Sequence, residues 1–146
     1  MKTTKVSTLQ KRIFVGILAL FMILPFMSFA KKIPFLLSTI TPAARGYVKI
    51  KKDRNRNFVI KIHISDLAEI GRIIPTKQTY VVWIVTDRDL KKNVGRVKSS
   101  RNFSNNLTVY FETVSSYKPT QVFITAEGDE SVQTPGDVIV LTTDRF

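Results

Sequence analysis

Histidine, the residue type most often used for acid–base and metal chemistry, occurs only once in this sequence, as His63. A Ser-His-Asp triad would have to use it, and a histidine-rich metal site is excluded. His63 lies between Ile62 and Ile64, and no glycine-flanked serine is present to act as a nucleophile. The absence of cysteine also excludes disulfides, thiolate ligands and cysteine nucleophiles. We therefore interpret His63 as an exposed strand residue and expect no catalytic residues.

One pattern of acidic and amide residues resembles the start of a calcium-binding loop. Asp53, Asn55 and Asn57 have the required spacing, but Phe58 replaces the glycine of the turn and Ile64 replaces the closing glutamate. Basic residues alternate with these positions and add repulsion. The segment is therefore predicted to be a polar hairpin turn, and we expect neither a metal nor another cofactor.

The densest acidic group is Glu127, Asp129 and Glu130. A pair of carboxylates held about 5–10 Å apart can hydrolyse a glycosidic bond. Here the residues surround Gly128 in a predicted turn, so we interpret them as a solvated acidic turn. A glycan-active enzyme remains an alternative, and it would require a deep pocket that holds both Glu127 and Asp129.

Positive charge dominates the sequence, with a formal net charge of +12. It is concentrated on the first predicted hairpin, where Tyr47 and Phe58 would add ring stacking to charge attraction. A polar, solvated sheet face is the alternative interpretation. The candidate polyanion-binding residues are Lys49, Lys51, Lys52, Arg54, Arg56 and Lys61.

The first thirty residues have the composition of an export signal. Residues 1–12 are polar and basic, residues 13–30 are apolar and uncharged, and Ser28-Phe29-Ala30 provides small residues for cleavage. An uncleaved anchor in the inner membrane is the alternative, although the apolar stretch is short for a membrane span. We expect an exported, periplasmic or secreted protein. Residues 31–45, which contain Pro34 and Pro42, are predicted to be a linker or a poorly paired leading segment.

Residues 46–146 are predicted to form one all-β domain. Ile60, Ile62 and Ile64 alternate with polar neighbours, as do Val48 and Ile50, which is typical of half-buried strands. Similar short segments recur up to the C terminus, separated by turn residues. About seven strands, preceded by the hydrophobic signal helix, indicate an immunoglobulin-like β-sandwich, with a barrel as the alternative.

Several motifs resemble the extracytoplasmic, C-terminal domain of anti-sigma-K factors. They comprise Pro75 with Tyr80 and Trp83, then Asn93-Val94-Gly95, then Phe123 to Glu127, then Pro135-Gly136. The resemblance implies a β-sandwich that senses or binds and has no catalytic residues. On this basis Tyr80 and Trp83 would lie on opposite strand faces, Trp83 would fill the core and Glu127 would accept hydrogen bonds from a loop. The residue pattern of the next short strand separately predicts a bulge at Gly95.

Two further features bear on this resemblance. Anti-sigma factors need a sigma-binding domain before the membrane segment, and only residues 1–12 precede the apolar stretch here, so we expect a stand-alone outer domain. The segment Ser38 to Gly46, with the Asp53/Asn57 hairpin, also resembles small exported proteins of unknown role from Bacteroidetes-type bacteria.

The sequence thus favours a non-enzymatic, exported binding or interaction module related to envelope sensing. A polyanion- or envelope-surface-binding protein that uses the basic hairpin is the main alternative. The expected partners are a protein or envelope component of unknown identity and an anionic polymer, without specific nucleic-acid binding. Membrane contact is expected only through residues 13–30, if they are not removed.

Overall fold

The structure, a computed structural model, describes residues 30–73, 76–97, 99–101 and 107–146. Residues 1–29, and with them nearly all of the predicted signal segment, lie outside the described residues. One helical turn, α1 (Ile70–Ile73), joins two strands. The strands are β1 (Lys32–Pro34), β2 (Arg45–Lys52), β3 (Phe58–Leu67), β4 (Thr79–Thr86), β5 (Lys91–Arg96), β6 (Ser99–Arg101), β7 (Leu107–Ser115), β8 (Pro119–Glu127) and β9 (Ile139–Thr142).

These strands form two antiparallel sheets, which confirms the all-β prediction. The five-stranded sheet has the order β1-β2-β3-β7-β6, and the four-stranded sheet has the order β5-β4-β8-β9. Two of the strands, β1 and β6, have only three residues each and were not recognised in the sequence. Strands this short offer too few alternating positions to stand out from loops.

The alternation in β3 decides which face of the five-stranded sheet is buried. Ile60, Ile62 and Ile64 are buried, whereas Lys61 and His63 lie on the opposite face. Because successive side chains of a strand point to opposite faces, this pattern fixes the inner and outer surfaces of the sheet. The prediction that these three isoleucines face the core is confirmed.

The main hydrophobic core lies between the two sheets. Val48 and Val109 contribute to it from the five-stranded sheet, and Val82, Ile84 and Ile124 contribute from the four-stranded sheet. Each fully buried side chain of this size contributes about 1.5–3 kcal/mol relative to exposure. The two layers are therefore held together mainly by branched aliphatic side chains.

Residues 31–45 are part of the folded domain, which corrects their interpretation as a linker. Ile33 is buried in the core, and β1 pairs with β2 along its whole length. The chain then crosses to the other sheet, where Phe35 forms a bridge with Thr143 and the Leu36 amide donates to the Thr142 carbonyl at 2.8 Å. One segment thus connects the edges of both sheets.

A bulge interrupts the pairing of β4 with β5. Val82 pairs with Gly95 and Trp83 pairs with Asn93, so Val94 is the extra residue. Gly95 has a φ of 133°, and an added Cβ would lie 3.2 Å from Phe111. Glycine is therefore favoured here both by backbone conformation and by the close approach of the opposite sheet.

Candidate polyanion-binding face

Three aromatic or imidazole rings form a row across the outer face of the five-stranded sheet. The register pairs Tyr47 with His63 and His63 with Tyr110. The ring centroids of the first pair are 5.4 Å apart and those of the second pair are 4.7 Å apart. Tyr110 ends the row and is 74% exposed. We call these three residues the ring row.

A row of lysines lies directly beside the ring row, because it is two residues away along each strand. Lys32 pairs with Lys49, and Lys49 pairs with Lys61. Glu112 pairs with Lys61 and ends the row, with its Oε2 2.9 Å from the Lys61 Nζ. We call Lys32, Lys49 and Lys61 the lysine row. Like charges placed directly opposite each other on one sheet face destabilise a sheet.

The two rows are connected through Tyr47. The ammonium groups of Lys32 and Lys49 lie 4.8 Å and 5.5 Å from the centroid of its ring. A cation over an aromatic face is attracted by the electron density of the ring, but its charge is not neutralised. Tyr47 therefore helps to hold two positive charges in place while leaving them available to an anion.

A shallow cavity of about 190 Å³ opens between the two rows. Since one water molecule occupies about 30 Å³ of liquid volume, this space suits an anionic group together with a few waters. Its walls include members of both rows and the carboxylate that ends the lysine row. The lining residues are Tyr47, Lys49, Lys61, Ile62, His63, Tyr110, Phe111 and Glu112.

The six predicted polyanion-binding residues are divided between two places. Lys49, Lys51 and Lys61 lie on the outer sheet face, since each is an even number of residues from Tyr47 or His63 on the same strand. The other three, Lys52, Arg54 and Arg56, lie at the β2–β3 hairpin, at one end of the sandwich.

Asp53 determines the conformation of that hairpin. Its Oδ1 accepts hydrogen bonds from the amides of Asn55 and Asn57, each at 2.8 Å. The carboxylate thus satisfies backbone donors of the turn, as aspartate commonly does in such turns. This arrangement agrees with the interpretation of the Asp53/Asn57 pattern as a polar turn. Within the described residues, no group of three or more acidic, histidine or cysteine side chains is arranged to hold a metal ion.

Sequence reasoning missed three residues of the candidate face. Lys32 was placed in a linker, His63 was interpreted as an exposed strand residue without a role, and Tyr110 was not singled out. Strand register brings these residues together, and a single sequence does not reveal register. The alternation in β2, β3 and β7 already indicated that Tyr47, His63 and Tyr110 point outward.

The residues of the resemblance motifs converge on a second, separate feature. The Trp83 indole N–H donates to Thr125 Oγ1 at 2.8 Å, and the Thr125 hydroxyl donates to Glu127 Oε1 at 2.6 Å. The Gly136 amide donates to the same Oε1 at 2.7 Å. Glu127 is only 4% exposed, so its carboxylate connects the sheet to the β8–β9 loop from a buried position.

Asn93, another motif residue, also holds the β8–β9 loop. Its side-chain amide donates to the carbonyls of Glu130 and Val132 at 3.0 and 2.9 Å. Arg96, three residues further along β5, forms a 2.5 Å ion pair with Glu130. The loop is thus fastened to both β5 and β8, and it covers part of the outer face of the four-stranded sheet, where Val132 packs on the apolar cluster.

Trp83 is fully buried beneath this covering rather than between the sheets, where it was expected. It clusters with Val81, Val85 and Phe123 on the outer face of the four-stranded sheet, and Val132 packs against them. The Phe123 ring stacks on the indole with centroids 6.2 Å apart. β4 is therefore apolar on both faces because each face has its own cover.

Of the remaining motif residues, Tyr80 is buried in the main core and Pro135 lines an open groove. Tyr80 lies on the opposite face of β4 from Trp83, in the main core, and its hydroxyl donates to the Ala68 carbonyl at 2.8 Å. Burial raises the pKa of Tyr80 to about 12. Pro135 lines a groove of about 500 Å³ on the outer face of the four-stranded sheet, beside Phe123 and Gly136.

The two carboxylates of the glycan-hydrolase alternative lie in different environments. Glu127 is buried and accepts hydrogen bonds from Thr125 and Gly136. Asp129 is exposed, and hydrogen bonds from the Ser131 hydroxyl and amide lower its pKa. The cavity beside Asp129 is lined by Gln78, Thr79, Arg96, Gly128, Asp129 and Glu130. Glu127 is not among these lining residues, so this cavity does not hold both carboxylates as the glycan-hydrolase alternative requires.

Comparison with known proteins does not assign the chain to a group. No protein family, no curated protein and no solved structure matches it. Among the described residues, no helix has the length and apolar character needed to span a membrane.

Proposed function

We propose that this chain is a non-enzymatic, exported binding module that takes an anionic polysaccharide on the outer face of its five-stranded sheet. The observation that carries the proposal is the lysine row, in which Lys32, Lys49 and Lys61 lie directly opposite one another on neighbouring strands. Such an arrangement costs stability in the free protein, and a bound polyanion would remove that cost. Glu112 balances only one of the three charges.

The ring row supports a sugar polymer as the ligand. Tyr47, His63 and Tyr110 supply two phenol hydroxyls and an imidazole next to the lysine row. These groups suit sugar hydroxyls, while the lysines suit carboxylate or sulfate groups along the same chain. The predicted export also favours an envelope polymer over a nucleic acid.

The proposal is tested by isothermal calorimetry of the full chain with heparin, with neutral dextran as the reference polymer. The triple variant Lys32→Gln, Lys49→Gln, Lys61→Gln is expected to weaken heparin binding by about tenfold to a hundredfold, because each charge contact contributes up to about 1 kcal/mol. The matched control carries glutamine at Lys77, Lys91 and Arg96, which lie in or next to the four-stranded sheet.

Glu112 offers a variant with the opposite expectation. Glu112→Gln frees Lys61 and should tighten heparin binding about two- to threefold, while Glu130→Gln, which breaks the Arg96 pair, should not. An equal loss of heparin affinity in the two triple variants, or an affinity unchanged by Glu112→Gln, would show that only net charge matters. Either result would refute the proposed site.

We further propose that the fold is immunoglobulin-like. The order β2-β3-β7-β6 corresponds to strands A-B-E-D of such domains, and β5-β4-β8-β9 corresponds to C′-C-F-G. β4 then takes the place of strand C, which carries the characteristic tryptophan, although Trp83 lies on the outer side of its sheet. β1 is an additional edge strand on this assignment.

The resemblance to the extracytoplasmic domain of anti-sigma-K factors is kept as a second proposal, in which the chain is an envelope-sensing module. Its support is that Trp83, Asn93 and Glu127, with Gly136, all act on one feature, the β8–β9 loop. A crystal structure of such a domain should contain the same Trp–Thr–Glu–amide hydrogen bonds. Different placement of those side chains would show that the motifs match by chance.

A further inference from the structure

We propose that one end of the sandwich docks onto an anionic lipid bilayer. This basal end consists of the β2–β3 hairpin (residues 52–58), the β4–β5 turn (87–90), the β7–β8 turn (116–118) and residues 144–146. It combines a cluster of cations with three exposed apolar side chains. Surfaces of this composition bind lipid headgroups by charge and the acyl boundary by apolar contact.

Backbone contacts place the hairpin and the two turns next to each other. Phe58, at the start of β3, pairs with Ser115 at the end of β7, so the hairpin lies beside the β7–β8 turn. The Asp87 amide donates to the Lys118 carbonyl at 3.1 Å, which joins that turn to the β4–β5 turn.

The C-terminal residues are attached to the same group of loops. Arg145 donates to Asp89 Oδ1 at 2.7 Å, and the Phe146 amide donates to the Thr120 carbonyl at 2.9 Å. The C terminus is therefore fixed beside the β4–β5 turn and the start of β8. All four segments form one continuous surface.

Three apolar side chains stand out from this surface. Leu90 is 48% exposed, Tyr117 is 49% exposed and Phe146 is 39% exposed. A single exposed apolar residue is ordinary on a soluble protein, but these three lie on separate segments of one end. Together they provide apolar contacts at the level of the surrounding cations.

Cations outnumber acids at the basal end. Asp53 is engaged by the hairpin amides and Asp89 by Arg145, which leaves Asp87 and Asp144 as the other acids there. Each basic residue near an anionic membrane strengthens the attraction by about fivefold. The exposed cations of this end are Lys52, Arg54, Arg56, Arg88 and Lys118.

The direction of β1 identifies the bilayer as the occupant. Lys32 pairs with Lys49 in an antiparallel register, so the chain before Lys32 runs past Lys51 toward the hairpin. Ala30 therefore lies at the basal end, and it is the last residue of the uncharged apolar stretch 13–30. Insertion of that stretch would bring this end, and no other, to the headgroups. Membrane contact would then extend beyond residues 13–30.

The test uses single-cysteine variants of the full chain, which has no native cysteine. Leu90→Cys, Tyr117→Cys and Phe146→Cys are labelled with the dye NBD and reconstituted in vesicles of equal parts phosphatidylglycerol and phosphatidylcholine. Gly71→Cys and Gly128→Cys are the controls at the opposite end, where an added Cβ meets nothing within 4 Å. Labels at the basal end are expected to shift to the blue and to be quenched by brominated acyl chains, unlike the control labels.

A second pair of variants tests the charge contribution. Lys52→Gln with Arg54→Gln should shift the docking equilibrium toward release by about thirtyfold, while Lys77→Gln with Arg96→Gln should leave it unchanged. Basal labels that remain as accessible to aqueous iodide as the control labels, or a chain that does not associate with the vesicles, would overturn the proposal.

Discussion

The indole N–H of Trp83 and the hydroxyl of Thr125 are joined by a 2.8 Å hydrogen bond that lies entirely in the protein interior. The Thr125 hydroxyl donates its own hydrogen bond to Glu127, so one hydroxyl satisfies both a buried donor and a buried carboxylate. Thr125 is therefore the central member of the network that fastens the β8–β9 loop.

We predict that Thr125→Val destabilises the protein by about 2–4 kcal/mol. The substitution preserves shape, but it leaves the indole N–H without an acceptor and Glu127 without one of its donors, and each unsatisfied buried group costs about 1–3 kcal/mol. Urea unfolding followed by circular dichroism measures the change. Thr113→Val, at a half-buried position of β7, is the matched control. Equal stability of the two variants would contradict the network.

We predict that Gly95→Ala costs about 2 kcal/mol, since a residue with a side chain is strained at a φ of 133°. Its Cβ would also press on Phe111. Thermal unfolding compares it with Gly128→Ala, whose Cβ enters open space and which should stay within about 0.5 kcal/mol of the parent. A Gly95→Ala protein as stable as the Gly128→Ala protein would show that the bulge does not require glycine.

We predict a loss of stability at alkaline pH that depends on Tyr80. Burial raises its pKa from 10.0 to about 12, so the folded state keeps a proton that the unfolded state releases. Tyr80 therefore contributes its full stabilisation below pH 10 and loses it as the pH rises toward 12. The expected loss is about 1–2 kcal/mol after allowance for solvent screening.

The Tyr80→Phe variant isolates this effect. It lacks the phenol and the hydrogen bond to Ala68, so it should be less stable at neutral pH but show a flatter decline between pH 10 and 12. Denaturant midpoints across this range provide the comparison. Parallel curves for the two proteins would assign the alkaline decline to other groups.

We predict that Lys49→Gln changes stability and binding in opposite directions. Lys49 has a lysine directly opposite it on each neighbouring strand, so its neutralisation should stabilise the fold by about 0.5 kcal/mol. The same change should weaken heparin binding, because it removes the centre of the lysine row. The melting temperature and the dissociation constant are measured on one preparation, with Lys91→Gln as the control. A variant that is both less stable and unchanged in binding would argue against a site selected for charge.

The architecture could largely be predicted from the sequence, because period-two alternation is a local property. Ile60, Ile62 and Ile64 identified the inner face of β3 without further information. β1 was missed because its three residues include Pro34, which favours a loop interpretation. Trp83 was placed in the wrong apolar cluster because alternation does not tell which face of a doubly apolar strand meets the other sheet.

The candidate face was only partly predictable, because it depends on long-range strand register, whereas the architecture follows from local alternation. Local clustering of charge identified Lys49, Lys51 and Lys61 but included hairpin residues that point elsewhere. The contribution of Lys32 and Tyr110 depends on strand register over long sequence separations, which is set by the complete set of pairings. Hydrogen bonds from a loop to Glu127 were expected from a resemblance, whereas its local sequence indicated a solvated turn and missed its burial.

The crossing of the N-terminal segment from one sheet to the other has a mechanical consequence. Hydrogen bonds join β1 to β2, the Phe35 amide donates to the Gly46 carbonyl, and the Leu36 amide donates to the Thr142 carbonyl. This segment is therefore attached to both layers. A pulling force applied at Ala30 would be shared between the layers and resisted by several bonds loaded together in shear. A domain tethered through its N terminus would thereby withstand tension without peeling apart strand by strand.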